Sequence, residues 1–163
     1  MVLVLMGVAG SGKTTIGKLL AARLHWSFED ADDFHPKSNR MKMQQGIPLT
    51  DEDRIGWLDQ LAALIQDHLD RGQSLVLACS ALRTAYRARL GVDHVNVRTV
   101  YLKIDEKELS KRLARRKHSF FNPDLLRSQL DILEEPSHGL VVTAKNRTAQ
   151  EQVNQIAGWV RKL

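Results

Sequence analysis

An eight-residue run near the N-terminus combines the residue types and the spacing that bind phosphate. Residues 7–14 read GVAGSGKT and match the pattern G-x-x-x-x-G-K-S/T. Its glycines allow successive backbone N–H groups to turn inward around phosphate oxygens. The Lys13 ammonium can reach the outer phosphates of a nucleoside triphosphate, and the Thr14 hydroxyl can ligate Mg²⁺. We call residues 7–14 the phosphate loop and expect it to bind a nucleoside triphosphate.

The flanking sequence supports this interpretation, because it predicts a strand before the phosphate loop and a helix after it. Residues 2–6 are apolar, and the sequence TTIGKLLAARL that starts at Thr14 is typical of a helix. The N-terminus of such a helix directs its positive end at the same anion. The alternative is a glycine-rich turn before an ordinary helix, which would require neither the full motif nor this setting.

Carboxylates follow the second predicted strand, in the sequence EDADDFHP. Asp30 and Asp32 are two residues apart, so they point the same way if the strand continues through them. Near a triphosphate, one can hold Mg²⁺ through water and the other can accept a proton from an attacking hydroxyl. The alternative is a solvated acidic turn in which Asp33 caps a helix. His35 precedes a proline and is as typical of capping or packing as of ligand binding.

Arginines follow the third predicted strand. Ser80 lies at the end of that strand, and Arg83 and Arg87 are four residues apart, which predicts one shared helix face. A pair of guanidinium groups on one face is suited to clamp a carboxylate or a phosphate. A basic, solvent-exposed face is an equally good interpretation of this pair.

A further basic cluster is typical of a lid over a phosphate site. Arg112, Arg115 and Arg116 lie close together in a predicted helix. A lid there could bring positive charge onto a transferring γ-phosphoryl group. The alternative is a nucleic-acid surface, which would need aromatic residues interleaved with the basic ones. Phe120 and Phe121 instead form a single pair after the basic run.

Strands and helices alternate along the chain, which predicts an α/β fold with a mostly parallel sheet. The candidate strands are 2–6, 27–30, 74–80, 97–103 and 140–143. The predicted helix N-caps are Thr50, Asp105, Asn122 and Thr148, and the predicted C-terminal glycines are Gly72 and Gly91. Ligands of open parallel sheets bind beyond the carboxyl ends of the strands, so we expect the carboxylates and arginines to converge there. Residues 31–49 mix loop and helix signals, which indicates a substrate-binding insertion.

Composition favours one compact domain over residues 1–163, long enough to bury a single core. The hydrophobic content is 43% and the formal charge is +5, which suits an anionic ligand and equally a nucleic acid. Cys79 is the single cysteine, so no internal disulfide is expected. The sequence shows neither a secretory leader nor an apolar stretch of the roughly 20 residues that span a bilayer. We therefore expect a cytoplasmic protein with no membrane partner.

Four stretches together resemble the gluconokinases, short phosphate-loop kinases related to shikimate and nucleoside monophosphate kinases. They read MGVAGSGKT, HPKSNRMKMQQGIPLTDEDRIGWL, LACSALRTAYRARL and RRKHSFFNPDLLRSQLDILEEP. The resemblance covers nearly the whole chain in the family's order. Its specific parts are DADDFHP, the run from Asn39 to Arg54, and CSAL at 79–82, which a general phosphate-loop protein would not share.

The resemblance implies ATP-dependent phosphorylation of D-gluconate to 6-phospho-D-gluconate. It also implies a three-layer P-loop NTPase fold with a five-stranded parallel sheet flanked by helices, a small lid at about 112–128, and commonly a homodimer with no nucleic-acid partner. Two alternatives stay open. One is a related kinase whose acceptor is shikimate or a nucleoside monophosphate. The other is a non-catalytic ATP-binding module that binds a nucleic acid through its basic face.

The resemblance also implies roles for individual residues. The ATP cradle would consist of Gly7, Val8, Ala9, Gly10, Ser11, Gly12, Lys13, Thr14 and Thr15. Mg²⁺ would be held by Thr14, with help from Asp30 through water. The catalytic residues would be Lys13, Asp32 as the base, and Arg116, which would close from the lid with Arg112 nearby. The acceptor would be bound by Asp32, His35, Arg54, Ser80, Arg83 and Arg87.

Some positions depart from the family pattern. The family's Asp-Gly-Asp is Asp30, Ala31 and Asp32 here, and a proline usual before Trp57 is Gly56. His118, Ser119 and Phe120 stand where a Gly-His-Phe run is usual, which affects the expected lid contact. Ala144 replaces an aspartate in the loop that often borders the adenine, so a looser base preference is expected.

Overall fold

The computed structural model describes residues 1–92, 95–114 and 123–163. In these ranges the chain forms one sheet of five parallel strands in the order β2-β3-β1-β4-β5. The strands are β1 (Val2–Met6), β2 (Ser27–Asp30), β3 (Leu75–Ala78), β4 (Val97–Lys103) and β5 (Leu140–Thr143). All five residues of β1 are fully buried, because helices cover both faces of the central strand. The predicted α/β fold with a five-stranded parallel sheet is confirmed.

Helices pack on the two faces of the sheet and complete a three-layer fold. They are α1 (Lys13–Leu24), α2 (Lys37–Gln44), α3 (Asp51–Asp70), α4 (Thr84–Arg89), α5 (Glu106–Ala114), α6 (Pro123–Ile132) and α7 (Ala149–Val160). Alternate residues of β1 point to opposite faces. Leu3 and Leu5 pack with α1 and α7, whereas Val4 packs with α3. No helix in the described ranges is long and apolar enough to cross a bilayer.

Several local signals in the sequence determine where helices begin and end. Thr50 and Thr148 each form a capping box with the acidic residue three positions later, as their sequences predict. Gly72 and Gly91 follow their helices with φ angles of 64° and 71°. The predicted insertion at 31–49 contains a 3-10 turn and α2.

The third predicted strand, 74–80, is longer than the observed one. β3 ends at Ala78 instead of residue 80, and Ala81, with a φ of 44°, turns the chain away from the sheet. β2 ends at Asp30, as predicted, and residues 31–34 then form a 3-10 turn capped by the Asp30 carboxylate, which accepts the Asp32 N–H over 3.2 Å. Asp30 and Asp32 therefore do not lie along one continuous strand, and the two-residue periodicity does not apply to them.

Candidate active site

The phosphate loop lies at the carboxyl end of β1, the central strand, which pairs with β3 on one side and with β4 on the other. The loop begins at Gly7, whose φ is 148°. A Cβ there would come within 2.8 Å of the Ser11 Oγ and 3.0 Å of the Leu102 carbonyl oxygen, so the close approach requires glycine. Gly12, with a φ of 105°, is the N-cap of α1 and directs the first amides of that helix into the loop. The predicted order of strand, loop and helix is thus present.

Two polar side chains at the start of α1 face the loop and the end of β2. The Lys13 ammonium donates to the carbonyl oxygens of Gly7 and Val8, over 2.9 Å and 3.1 Å. The Thr14 hydroxyl donates to the Asp30 Oδ2 over 2.7 Å, which joins the helix to the neighbouring strand. The loop and the ammonium are suited to a polyphosphate.

The oxygen atoms of Thr14 and Asp30 fit Mg²⁺, which prefers hard oxygen ligands. Among the described residues, no group of three or more His, Cys, Asp or Glu side chains is placed to hold a metal ion. A cation at this position would therefore take most of its ligands from phosphate oxygens and water, as is usual for Mg²⁺.

A cavity of about 460 Å³ opens beside the phosphate loop. Ala9 and Lys13 line it from the loop, and Asp32, His35 and Arg54 line it from the residues that follow β2. The remaining predicted acceptor residue in its wall is Ser80, whose carbonyl oxygen accepts the Gly7 N–H over 3.3 Å. The cavity thus brings together residues that are far apart in the sequence.

Asp32 is the carboxylate that faces this cavity. Its side chain reaches solvent in the cavity, but the protein around it desolvates the carboxyl group and raises its pKa. The Lys13 ammonium opposes this rise, whereas the neighbouring Asp30 and Asp33 add to it. A carboxylate with a raised pKa is a better proton acceptor than an ordinary aspartate.

His35 forms part of the cavity wall as a buried, neutral ring. It stacks on Trp57 with ring centroids 4.2 Å apart, and the Trp57 indole N–H donates to the Ala31 carbonyl oxygen over 2.7 Å. Burial, followed by the charges of Arg54 and Arg40, lowers the His35 pKa to about 4. A neutral imidazole can both donate and accept a hydrogen bond, which suits a sugar hydroxyl.

A cluster of cationic and phenolic groups surrounds the carboxylate of Asp51. The Arg83 Nη1 donates to the Asp51 Oδ2 over 3.2 Å, and the Tyr86 hydroxyl donates to the Oδ1. Arg54 places its Nη1 3.9 Å from the same Oδ1 and 3.4 Å from the Tyr86 hydroxyl. Asp51, Arg54 and Arg83 line a second cavity of about 260 Å³ that shares Arg54 and Leu49 with the first. We call Arg54, Arg83 and Tyr86 the carboxylate cluster.

Arg87 does not pair with Arg83 on one helix face, so this prediction is wrong. Arg83 is the extended residue before α4, with φ and ψ angles of −98° and 149°. Arg87 is only 5% exposed and donates to the carbonyl oxygens of Ala81 and Leu82 over 2.9 Å and 3.2 Å. Its guanidinium therefore supports the loop that follows β3 and does not line either cavity.

The predicted lid residues are only partly described. Arg112 on α5 lies near the phosphate loop, with its Nη1 3.4 Å from the Ser11 carbonyl oxygen and its Nε bonded to Glu108. Arg115, Arg116 and the run His118, Ser119, Phe120 lie outside the described residues.

Sequence reasoning missed several residues of the cavity wall and the carboxylate cluster. Arg40 lines the cavity and donates through its Nε to the His35 carbonyl oxygen over 2.9 Å. Ser128 and Gln129 line it from α6, and Tyr86 approaches Asp51 from α4. Gln129 is a polar residue on the apolar stripe of α6, a signal that periodicity could have revealed.

Comparison with known proteins agrees with this geometry. A family model described as shikimate kinase matches residues 9–161. The gluconokinase of Gluconobacter oxydans is 43% identical over 134 residues, which cover 82% of this chain and 75% of that protein. A crystal structure of a sugar kinase from Janibacter has a TM-score of 0.91 and 37% identity, and covers 98% of this chain and 94% of its own. A gluconokinase structure from Sinorhizobium meliloti has a TM-score of 0.82 and 35% identity, covering 98% and 91%.

Proposed function

Since the chain belongs to the gluconokinase family, within the wider shikimate kinase group, we propose that it transfers the γ-phosphoryl group of ATP to D-gluconate and forms 6-phospho-D-gluconate. The observation that carries this proposal is the cavity in which Ala9 and Lys13 of the phosphate loop meet Asp32, His35 and Arg54. Donor and acceptor can therefore meet in one cavity, as transfer requires.

The phosphate loop and Thr15 bind ATP, and Mg²⁺ binds beside them. The bond between the Thr14 hydroxyl and Asp30 supports this placement, because it brings two hard oxygen atoms together next to the phosphate loop. When bound, Mg²⁺ neutralises charge on the phosphate oxygens during transfer. Arg112 and, from the lid, Arg116 add positive charge to the same oxygens.

Asp32 is the base for the acceptor hydroxyl. That oxygen forms a bond to the γ-phosphorus while the bond from phosphorus to the bridging oxygen of ADP breaks, and the hydroxyl proton passes to Asp32. The raised pKa of the Asp32 carboxyl supports this role. His35 and Ser80 bind further hydroxyls of the sugar acid, as hydrogen-bonding groups in the wall of the cavity.

The carboxylate of gluconate binds at the carboxylate cluster. Arg54 and Arg83 offer guanidinium donors there. Burial together with the hydrogen bond to Asp51 raises the Tyr86 pKa, so the phenol stays protonated and its single proton holds the Asp51 carboxylate. The Asp51 carboxylate already lies among these donors, which supports their fit to a carboxylate. This subsite explains a preference for a sugar acid over a neutral sugar.

The same proposal includes the domain organisation, the location and the oligomeric state of the protein. Residues 1–163 form one kinase domain in which 31–49 is the acceptor-binding insertion and about 112–128 the lid. The enzyme acts in the cytoplasm as a homodimer on a small-molecule substrate, with no nucleic-acid partner. Size-exclusion chromatography with light scattering tests the homodimer, and a monomeric mass at working concentration would contradict it.

The assay for this function follows ADP release from purified protein with ATP and Mg²⁺. D-gluconate, related sugar acids, shikimate and AMP are offered in turn, and the product with gluconate is identified by ³¹P NMR. We expect turnover to be fastest with gluconate and to be lost in Lys13→Ala, which retains the fold. Faster turnover with shikimate or AMP, or none with any acceptor together with salt-sensitive RNA binding, would contradict the proposal.

A further inference from the structure

A glutamine of α6 is bonded to the phosphate loop at the wall of the larger cavity. The Ala9 N–H donates to the Gln129 Oε1 over 2.7 Å, although the two residues are 120 positions apart. Both line the cavity together with Lys13 and Asp32. The contact therefore lies between the loop that binds the donor and the cavity that binds the acceptor.

Apolar packing holds α6 in place independently of this bond. Leu126, Leu130 and Leu133 pack against a buried cluster that includes Val8, the residue before Ala9. Their spacing defines one face of the helix, and Gln129 belongs to that same face. The side chain of Gln129 thus reaches the phosphate loop because its leucine neighbours are fixed there.

The residues after α6 are also tied to the loop that follows β3. The Glu134 N–H donates to the Leu82 carbonyl oxygen over 2.8 Å, and its carboxylate accepts the Thr84 N–H over 2.7 Å. With packing and these bonds in place, a change at Gln129 alone is expected to leave the helix where it is.

The chemistry of a carboxamide suits this position better than that of other side chains. Its oxygen accepts the Ala9 N–H, while its uncharged state avoids repulsion of a nearby polyphosphate. A glutamate would accept the same N–H but would place a negative charge beside the phosphates.

We propose that Gln129 is a positioning residue for phosphoryl transfer, which rests on the kinase function proposed above. By holding the Ala9 N–H it fixes the part of the phosphate loop that faces the cavity, and so aligns the donor with the acceptor hydroxyl. Each substrate keeps its own contacts without this bond, so its loss affects the alignment in the ternary complex more than the binding of either substrate.

Two substitutions at Gln129 separate the loss of the bond to Ala9 from the effect of a charge at this position. Gln129→Met keeps the length of the side chain but removes both amide groups, and is expected to lower kcat about 10- to 100-fold. The KM values for gluconate and ATP should stay within roughly threefold of wild type, with Tm unchanged. Gln129→Glu should also lower kcat and in addition weaken binding of a non-hydrolysable ATP analogue. Gln150→Met on α7, an exposed glutamine bonded to Asn154, is the matched control and should keep wild-type kinetics.

Hydrogen exchange of the Ala9 amide tests the contact without any turnover. In the protein free of nucleotide, Gln129→Met should speed this exchange, whereas Gln129→Glu should retain protection. This readout stands even if gluconate proves not to be the acceptor, so the two failures can be distinguished. A kcat for Gln129→Met within about twofold of wild type, unchanged Ala9 exchange, or a fall in kcat fully explained by a fall in Tm would each overturn the proposal.

Discussion

Two titratable side chains of the cavity wall, Asp32 and His35, have pKa values shifted in opposite directions by one cause. Burial disfavours the charged form of any group, so it raises the pKa of the Asp32 carboxyl and lowers that of the His35 ring to about 4. Positive charge on Arg54 and Arg40 adds to the shift at His35. His35 is therefore neutral near pH 7, and Asp32 is the group in this pair whose protonation should limit activity on the acid side.

Asp32→Asn is expected to lower kcat by roughly 100-fold or more, because the amide cannot accept the hydroxyl proton. ATP affinity should change little, and the acid limb of the kcat profile, which the raised pKa displaces toward neutral pH, should disappear. Steady-state kinetics from pH 4.5 to 8 and calorimetric titration with an ATP analogue measure both. Weakened ATP binding with kcat preserved would instead place Asp32 in the metal site.

His35 should make stability depend on pH in a defined window. Above its usual pKa of about 6.5, the ring is neutral in both the folded and the unfolded protein. As pH falls toward about 4, only the unfolded chain takes up the proton, so the free energy of unfolding should fall by roughly 2–3 kcal/mol. Denaturant unfolding at pH 7 and pH 4.5 measures this loss. His35→Phe should show a smaller decrease, and an equal decrease would assign the pH dependence to other groups.

The candidate functional residues lie in the loops at one edge of the sheet. The phosphate loop follows β1, Asp32 follows β2, and Arg83 follows β3, so each lies beyond the carboxyl end of its strand. Within the last of these loops, two arginines four residues apart have different surroundings. Arg83 lies in an exposed ion pair with Asp51, whereas Arg87 is buried on backbone carbonyls.

Arg83→Ala should therefore affect mainly the binding of gluconate, whereas Arg87→Ala should affect mainly the stability of the fold. Arg83→Ala should raise the KM for gluconate and leave stability nearly unchanged, because exposed ion pairs contribute about 0–1 kcal/mol. Arg87→Ala should lower the free energy of unfolding by about 1–3 kcal/mol, since it removes the donor to the Ala81 carbonyl oxygen, whereas the Leu82 carbonyl oxygen keeps the Glu134 N–H. Steady-state kinetics at a temperature where both variants are folded, together with denaturant unfolding, separates the two. The reverse pattern would exchange their roles.

At the scale of the whole molecule, the nucleotide site joins elements from both sides of the central strand. Thr14 on α1 bonds to Asp30 at the end of β2, and Arg112 on α5 approaches the phosphate loop from the other side. We expect a nucleotide bound at the phosphate loop to contact all of these elements at once. Its binding should therefore stabilise the whole fold and not only the loop.

An ATP analogue with Mg²⁺ at 100 times its Kd should raise the free energy of unfolding by about 2.7 kcal/mol. For a chain of 163 residues this corresponds to a rise in Tm of roughly 5–10 °C. Removal of Mg²⁺ with EDTA should reduce the rise, and Lys13→Ala should abolish it. Thermal unfolding of wild type and Thr14→Val checks the metal contribution: an EDTA effect that persists fully in the valine variant would exclude the Thr14 hydroxyl as a ligand.

The sequence alone determined the phosphate loop, the alternating strands and helices, and the family. These depend on local rules, because glycine conformations, capping residues and the amides of a helix N-terminus act over a few neighbouring positions. The predicted second strand, 27–30, is also observed, but Asp30 and Asp32 do not share one face of it, because the Asp30 carboxylate caps the turn that follows the strand.

Only the tertiary structure decided which polar side chains reach the cavities and which support the fold. Arg83 and Arg87 are nearly equivalent by spacing, and burial against backbone carbonyls separates them. The bond between Ala9 and Gln129 joins residues 120 positions apart, and Tyr86 meets Asp51 over a separation of 35. Such contacts depend on how helices pack on the sheet, and no local spacing encodes that packing. The sequence therefore predicted the phosphate-binding chemistry, whereas it did not predict the shape of the cavity beside the phosphate loop.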